Sequence, residues 1–425
     1  MKKVLFITYY WPPSGKASLQ WPLKIIKHLP AFGWAPSVLT VDEDTFTQKD
    51  ETFLNEIPAE VKVVRAKSYE PFDIYKKITG KEKNEQLIAS ETISKNNSQR
   101  KMAHKLSIWI RMNLFIPDAR VGWYFPAIKT GLAMLTREEV NVIVSIGPPH
   151  TTHLIGKKLS SKLKIPHVPV FIDPWVDISY YRNFKRNKLT LAVDNHLEST
   201  VLRNAAQTVF VTETMKQDYE KKYPFINGRS NVLYWGYSEE DFEFNGNRSV
   251  NENRDEEVIL HAGNIFDHQN PKFFWPTLKK EIDNGRNLKL VFIGTVSPEI
   301  KQSIKISGLN SYTEYKGFLP YKEMLIEMMR ASYLLVCATE PRHVPGKLFE
   351  YLRAGKPIIA FGNGNDEVKQ IIGESNAGMM FNYHDTGEEF FESCHAFKTN
   401  SDTIRKFDRS RITDKFNSIL KRVCV

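Results

Sequence analysis

Cysteine is scarce in this sequence. Cys337, Cys394 and Cys424 stand far apart, with no Cys-x-x-Cys pair among them. That argues against a disulfide framework and against a structural zinc site, and it fits a reducing cytoplasm. No apolar run approaches the roughly 18 residues of a membrane span, so membrane contact is expected to be peripheral at most. The opening "MKKVLFITYYWPPSGK" is apolar only from Val4 to Trp11, too short for a signal-peptide core with its cleavage site. It reads as a first buried strand. No Gly-x-Gly-x-x-Gly follows that strand, which weakens a Rossmann dehydrogenase. No nucleic-acid-binding module accompanies the basic charge, no short internal repeat is present, and no His/Cys cluster suggests a metal.

What the chain does have is length and an enzyme-like balance. Its 425 residues are 41% hydrophobic, 25% charged and 12% aromatic, too long for one ordinary core and most simply read as two domains. Lys and Arg (59) exceed Asp and Glu (49) by 10. The surplus favours anionic partners, whether phosphorylated substrates, acidic lipid or nucleic acid, but by itself selects none.

Short β-rich runs alternate with helical patterns, the signature of parallel α/β layering. "KVLFITYYW", "APSVLTVD", "VKVVRAK", "VNVIVSIG", "HVPVFIDPW" and "TVFVT" make one series; "EVILHAG", "LKLVFIG", "YTEYKG", "YLLVCAT" and "PIIAF" make a second. The polar stretch near 237–256 separates them. The expected plan is a domain over 1–236 and a second over 257–400. A helix in 401–425 is expected to pack back across the junction. Two doubly wound, Rossmann-like domains would then face one another across a cleft lined by the carboxyl ends of both sets of strands, where ligands bind in this architecture. A polar, charged segment over about 77–105 interrupts the first domain as an insertion. The stretch after it sets Trp109, Ile110, Leu114 and Phe115 among Arg111 and Arg120. It would suit either a membrane interface or a core beneath a loop.

The densest chemistry lies in "VPGKLFEYLRAGKPIIAFG". Pro345 and Gly346 open a helix whose first amides can meet an anion. Lys347 adds a point charge for a phosphate, and Glu350, on the same face, suits a vicinal diol. Leu348 and Leu352 turn towards the core, and Gly355 stops the helix. These residues describe a cradle for a nucleoside diphosphate. An acid in the first turn also complements the helix dipole with no ligand at all. Asp42 and Asp44 in "VDEDTF" form an Asp-x-Asp that sits in a polar turn, and a metal role for it is discounted.

This segment resembles the donor-binding part of family-four GT-B-fold glycosyltransferases, retaining enzymes of the kind that build bacterial surface polysaccharides. The likeness runs through "FITYYWPPSG", "FIPDARVGW", "SIGPPHTTHLIG", "FIDPW", "LHAGNIFDHQNP" and "YKGFLPYKEM". It implies Glu350 at the donor ribose, Lys347 at the diphosphate, Gly15 beside donor and acceptor, and His150 or His153 near the transferred sugar. The turn Gly317-Phe318-Leu319 would offer backbone groups to the base. Gly263 and Asn264 would keep a close approach to the phosphates, and Asp173 would orient an acceptor hydroxyl or cap the turn before Pro174. The sequence departs from the family at Arg342, where members place a sugar-contacting glutamate; Glu340 stands two residues earlier. Arg342 there would neutralise a phosphate instead.

The resemblance therefore implies a cytoplasmic, metal-independent transferase, on the inner face of the plasma membrane if the membrane reading holds. It would use a UDP- or GDP-type nucleotide sugar as co-substrate, with no other cofactor, and a glycan or lipid-linked acceptor. Attack on the front face, with the leaving phosphate taking the acceptor proton, would retain configuration without a protein nucleophile. A nonhydrolysing nucleotide-sugar epimerase and a catalytically silent binding subunit of a polysaccharide assembly complex are the rival readings.

Overall fold

The computed structural model describes residues 1–69, 108–178, 186–243, 256–338 and 340–424. The expected insertion at about 77–105 and most of the polar stretch between the two series lie outside them. The chain divides into two compact units, Met1–Leu233 with Thr413–Val425, and Tyr234–Ile412.

The first unit is built on seven parallel strands: β1 (Lys2–Thr8), β2 (Trp34–Val41), β3 (Lys62–Ala66), β4 (Val142–Gly147), β5 (His167–Phe171), β6 (Thr208–Phe210) and β7 (Ser230–Val232). Their order is β3-β2-β1-β4-β5-β6-β7. Strands that feed right-handed crossovers in both directions from β1 need apolar side chains on both faces. This explains why Val4 through Ile7 are all fully buried. One face packs Leu5, Ile7, Leu39 and Ile143 against Trp123, Ile155 and Leu159 of the helical layer. Towards β6, Phe171 and Phe210 pack with Trp175, Val201 and Tyr219. Near the other end of the chain, Phe416 packs its ring against Phe6 and Trp21. Beside it the Trp34 indole N–H donates to Asn417 Oδ1 at 3.0 Å, both residues being buried.

The second unit repeats the plan with six strands: β8 (Glu257–Ala262), β9 (Leu288–Ile293), β10 (Thr313–Gly317), β11 (Tyr333–Cys337), β12 (Ile358–Phe361) and β13 (Gly378–Phe381), in the order β10-β9-β8-β11-β12-β13. All are parallel. The core joins Ile259, Phe292, Leu335 and Ile359 to Phe274, Trp275 and Ile300 of the flanking helices. Two doubly wound α/β sheets are thus present, as expected. The edge strands β7 and β13 were not foreseen: one is three residues of mixed polarity and the other, Gly-Met-Met-Phe, is too short to show alternation.

The 108–114 stretch is helical. It buries Met112 and Asn113 and exposes Trp109 and Leu114, so part of it is core and part faces outward.

Asn417→Leu strands the buried Trp34 N–H and should lower unfolding free energy by about 1–3 kcal/mol in urea titration of the full chain. An unchanged midpoint would show that the bond contributes nothing.

Candidate functional site

At the carboxyl edge of the second sheet a glycine closes β10 and directly follows β8 and β9. Gly263, Gly294 and Gly317 all have positive φ (108°, 104° and 67°), a region that costs a side-chain-bearing residue energy. The glycines are joined by short backbone bonds, Gly263 N–H to Ile293 O at 2.7 Å and Gly294 N–H to Gly317 O at 2.6 Å. A Cβ on Gly294 would lie 2.7 Å from the carbonyl carbon of Gly263. Packing this close leaves bare main chain where two sheet positions meet, and Asn264 Oδ1 fixes the next turn by accepting from Thr295 N–H at 2.9 Å.

The helix Lys347–Ala354 is held against that edge. Leu348 and Leu352 are fully buried, the Tyr351 hydroxyl accepts from Ala262 N–H at 2.7 Å, and Gly355 ends the helix in the left-handed conformation. The Lys347 ammonium consequently lies over Gly263, 2.7 Å from where a Cβ would stand there. It is 3.2 Å from His261 Nε2. His261 Nδ1 lies 3.0 Å from the Leu335 carbonyl, an acceptor only, so Nδ1 carries the hydrogen and Nε2 turns a lone pair to the ammonium. Burial, with the Lys347 charge beside it, keeps His261 neutral far below its usual range. Burial also pushes the Lys347 ammonium down to about 8. It is a cation short of water and of a full counter-charge.

The amides of Leu348 and Phe349 bond to the carbonyls of Pro345 and Gly346 (2.9 and 3.2 Å). The expected anion-binding amides narrow to those of Gly346 and Lys347. Trp235 seals Gly346 from one side, its indole 2.8 Å from where a Cβ would be. One turn on, the buried Glu350 accepts from Tyr321 OH at 2.8 Å. Burial raises its pKa, and Arg409 pulls in the opposite direction. Arg342 Nη2 sits 3.6 Å from Glu340 Oε2, and Asn365 clamps the loop by donating to the carbonyls of Glu340 and His343 (2.8 and 2.7 Å). Phe318 lies 63% exposed on the turn after Gly317, with Leu319 half-buried behind it.

In the first unit Gly15 donates its N–H to Gln48 O at 2.9 Å. A Cβ there would stand 3.0 Å from Gln48 Cγ. His150 and His153 follow β4 and are both buried. His153 Nδ1 lies 2.8 Å from Ser145 Oγ, and the His150 ring stacks flat on Trp175 at 5.0 Å. Burial takes the His150 imidazole down to about 3 and depresses His153 well below its normal value, so both are neutral. Asp173 follows β5, half-buried. Asp118 caps the helix Thr151–Leu163, accepting from Thr151 N–H and Oγ1 at 2.9 Å. Asp42 precedes a polar turn over Glu43–Thr45 without a side-chain capping bond.

Residues 256–400 match the family model described as glycosyl transferases group 1. No curated protein matches the chain. Among solved structures, that of Anabaena Alr3699/HepE in complex with UDP and glucose is similar at TM-score 0.64 and 14% identity, covering 99% of this chain and 100% of that one. A glycosyltransferase from Rickettsia africae gives 0.63 and 12% (99% and 98%). Sucrose-phosphate synthase from Thermosynechococcus elongatus gives 0.62 and 12% (99% and 99%). The chain has the GT-B fold.

Within that GT-B fold the glycosyl transferases group 1 match coincides with the glycine row and the Lys347–Glu350 helix. The structure brings Gly263, Gly346 and Lys347 together, with Glu350 one turn along the helix. Sequence reading singled out none of His261, Tyr321 and Arg409. His261 is a buried polar residue inside an apolar strand, a signal that was available; the others become visible only through contacts across long chain separations.

Tyr351→Phe removes the acceptor for Ala262 N–H and should cost about 1–3 kcal/mol in chemical denaturation. An unaltered transition would mean that water replaces the hydroxyl.

Proposed function

We propose that the chain is a retaining glycosyltransferase. It moves a sugar from a UDP- or GDP-type nucleotide diphosphate donor to a hydroxyl of a glycan or lipid-linked acceptor in polysaccharide biosynthesis. The carrying observation is the Lys347 ammonium, desolvated and poised over the bare backbone of Gly263 at a helix start. A diphosphate supplies the counter-charge that this cation lacks, and the amides of Gly346 and Lys347 add donors beside it. The glycosyl transferases group 1 match over 256–400 supports the same reading.

In the reaction, the bond between the anomeric carbon and the β-phosphate oxygen breaks as the acceptor oxygen attacks the same face. The acceptor proton passes to the departing phosphate, and no protein nucleophile intervenes. Lys347 stabilises the charge that develops on the diphosphate, with no metal required in this reading. Glu350 holds the ribose hydroxyls, and Phe318 and Leu319 flank the base. Arg342 stands close to the sugar phosphate, partly balanced by Glu340. Asp173 orients the acceptor, with His150 and His153 beneath it. The exposed Trp109 and Leu114, next to Arg111, give a cytoplasmic enzyme a peripheral hold on an anionic membrane.

Thermal stabilisation by a panel of nucleoside diphosphates and nucleotide sugars tests the donor site. UDP or GDP species should raise the melting temperature of wild type selectively, and Glu350→Ala should abolish the shift. Product analysis then separates transfer to an acceptor from epimerisation of the donor. Binding without turnover across a broad acceptor panel would favour a silent subunit.

A pH profile tests Lys347. Its free-enzyme pKa of about 8 lies below the ordinary lysine value, so the binding-competent ammonium is present below that pH and lost above it. Donor kcat/KM should fall above pH about 8, and Lys347→Arg should carry that basic limb beyond about pH 10. A limb that stays in place in the arginine variant belongs to another group.

A further inference from the structure

The donor helix is steadied by a second cation that the reading above leaves without a task. Arg409 is fully buried and opens the helix Arg409–Val423. Its backbone N–H donates to Tyr237 O at 2.8 Å, while Tyr237 N–H donates to Phe407 O at 3.0 Å. Its side chain donates from Nε to Trp235 O at 3.3 Å and from Nη1 towards Ser238 Oγ at 3.5 Å. The guanidinium therefore grips the 235–238 segment whose indole covers Gly346. Further along the segment Glu239 forms a two-pronged ion pair with Arg353, so the same stretch also clasps the other end of the Lys347–Ala354 helix. Gly236 has room for no side chain here: a Cβ would stand 2.4 Å from Phe407 O.

Glu350 lies inside this clasp. The Tyr321 hydroxyl donates to its carboxyl at 2.8 Å, and the charges of Arg409, Asp241 and Lys347 act on it through space. Asp241 is also 3.5 Å from Tyr321 OH. Burial and Asp241 favour the neutral acid, whereas Arg409, Tyr321 and Lys347 favour the carboxylate, Arg409 most strongly of the three.

We propose that Arg409 is a positioning residue of the donor site, keeping Glu350 ionised as an acceptor for the two ribose hydroxyls and holding Trp235 over the helix start. A neutral carboxyl would spend one oxygen as a donor and lose part of its grip on a diol that offers two hydrogens. This rests on the donor-site reading of Glu350.

The test is the affinity of the full-length protein for UDP-glucose and GDP-glucose, whose diester diphosphates carry no group that titrates near neutrality, by calorimetry from about pH 5.5 to about pH 7.5, below the range in which Lys347 loses its proton, at a constant salt concentration of about 0.15 M. Wild type should bind over most of the range and weaken towards its acidic end. Arg409→Met should weaken binding at least tenfold relative to wild type at about pH 6 and recover to within about fivefold at about pH 7.5, as Glu350 loses its proton later. Arg409→Lys, which keeps the charge, should follow wild type in the position of the acidic limb. Glu350→Gln, which removes the titrating group, should bind weakly with no acidic limb.

A uniform loss at every pH in Arg409→Met would reduce Arg409 to a structural prop and overturn the proposal. So would an acidic limb that survives in Glu350→Gln, an outcome that can be read even if Arg409→Met does not fold. Absence of nucleotide binding by wild type at any pH would instead remove the donor-site reading itself.

Discussion

A lysine ammonium held largely out of water is the constraint around which the second unit is arranged. Desolvating a charge is costly unless a partner offsets it, and the nearest partners of the Lys347 ammonium are a neutral histidine lone pair and the polar strand edge at Gly263. The consequences spread outward. Gly263 must lack a side chain, Gly294 must approach it, Tyr351 must tie the helix to β8, and His261 must stay neutral.

The carboxylate on the same helix obeys a parallel rule with the opposite sign. Glu350 is buried enough to be driven towards its neutral form, and one turn separates it from Lys347, so each modestly supports the other's charge. The larger support for Glu350 comes from Arg409, and its hydrogen bond comes from Tyr321. Cation, carboxylate and their supports thus form a graded set: Lys347 and Glu350 sit on the short helix, and the groups that set their charge lie on segments packed against it. Preorganisation of this kind lets a site meet charge without rearranging.

In the first unit the polar groups at the carboxyl ends of β4 and β5 are mostly occupied with one another. Ser145 lies between His153 and His167, and Trp175 is anchored by Asp194 through its indole N–H at 2.9 Å and by Tyr219 through its main chain at 2.9 Å. Glu198 gathers Tyr219, Tyr223 and Lys222. Such networks stiffen a loop. They make the segment that carries Asp173 a fixed platform.

The α/β class and the repeated doubly wound plan were legible in the sequence, because a parallel strand covered on both faces is written as a continuous apolar run such as "VIVSIG" or "LKLVFI". The helix Lys347–Ala354 was legible for a local reason as well: its opening Pro-Gly, its Lys-to-Glu spacing and its terminal glycine all act within a dozen residues. The short edge strands were not, since three or four residues carry no periodicity. Nor were the groups that give Lys347 and Glu350 their character. Arg409 is 59 positions from Glu350 and His261 is 86 from Lys347, and no local pattern links them. The sequence by itself determined which residues carry charge and which segments become strand or helix. Tertiary packing alone decided which charges are desolvated and which neighbours offset them, because desolvation and Coulomb attraction depend on distance through space.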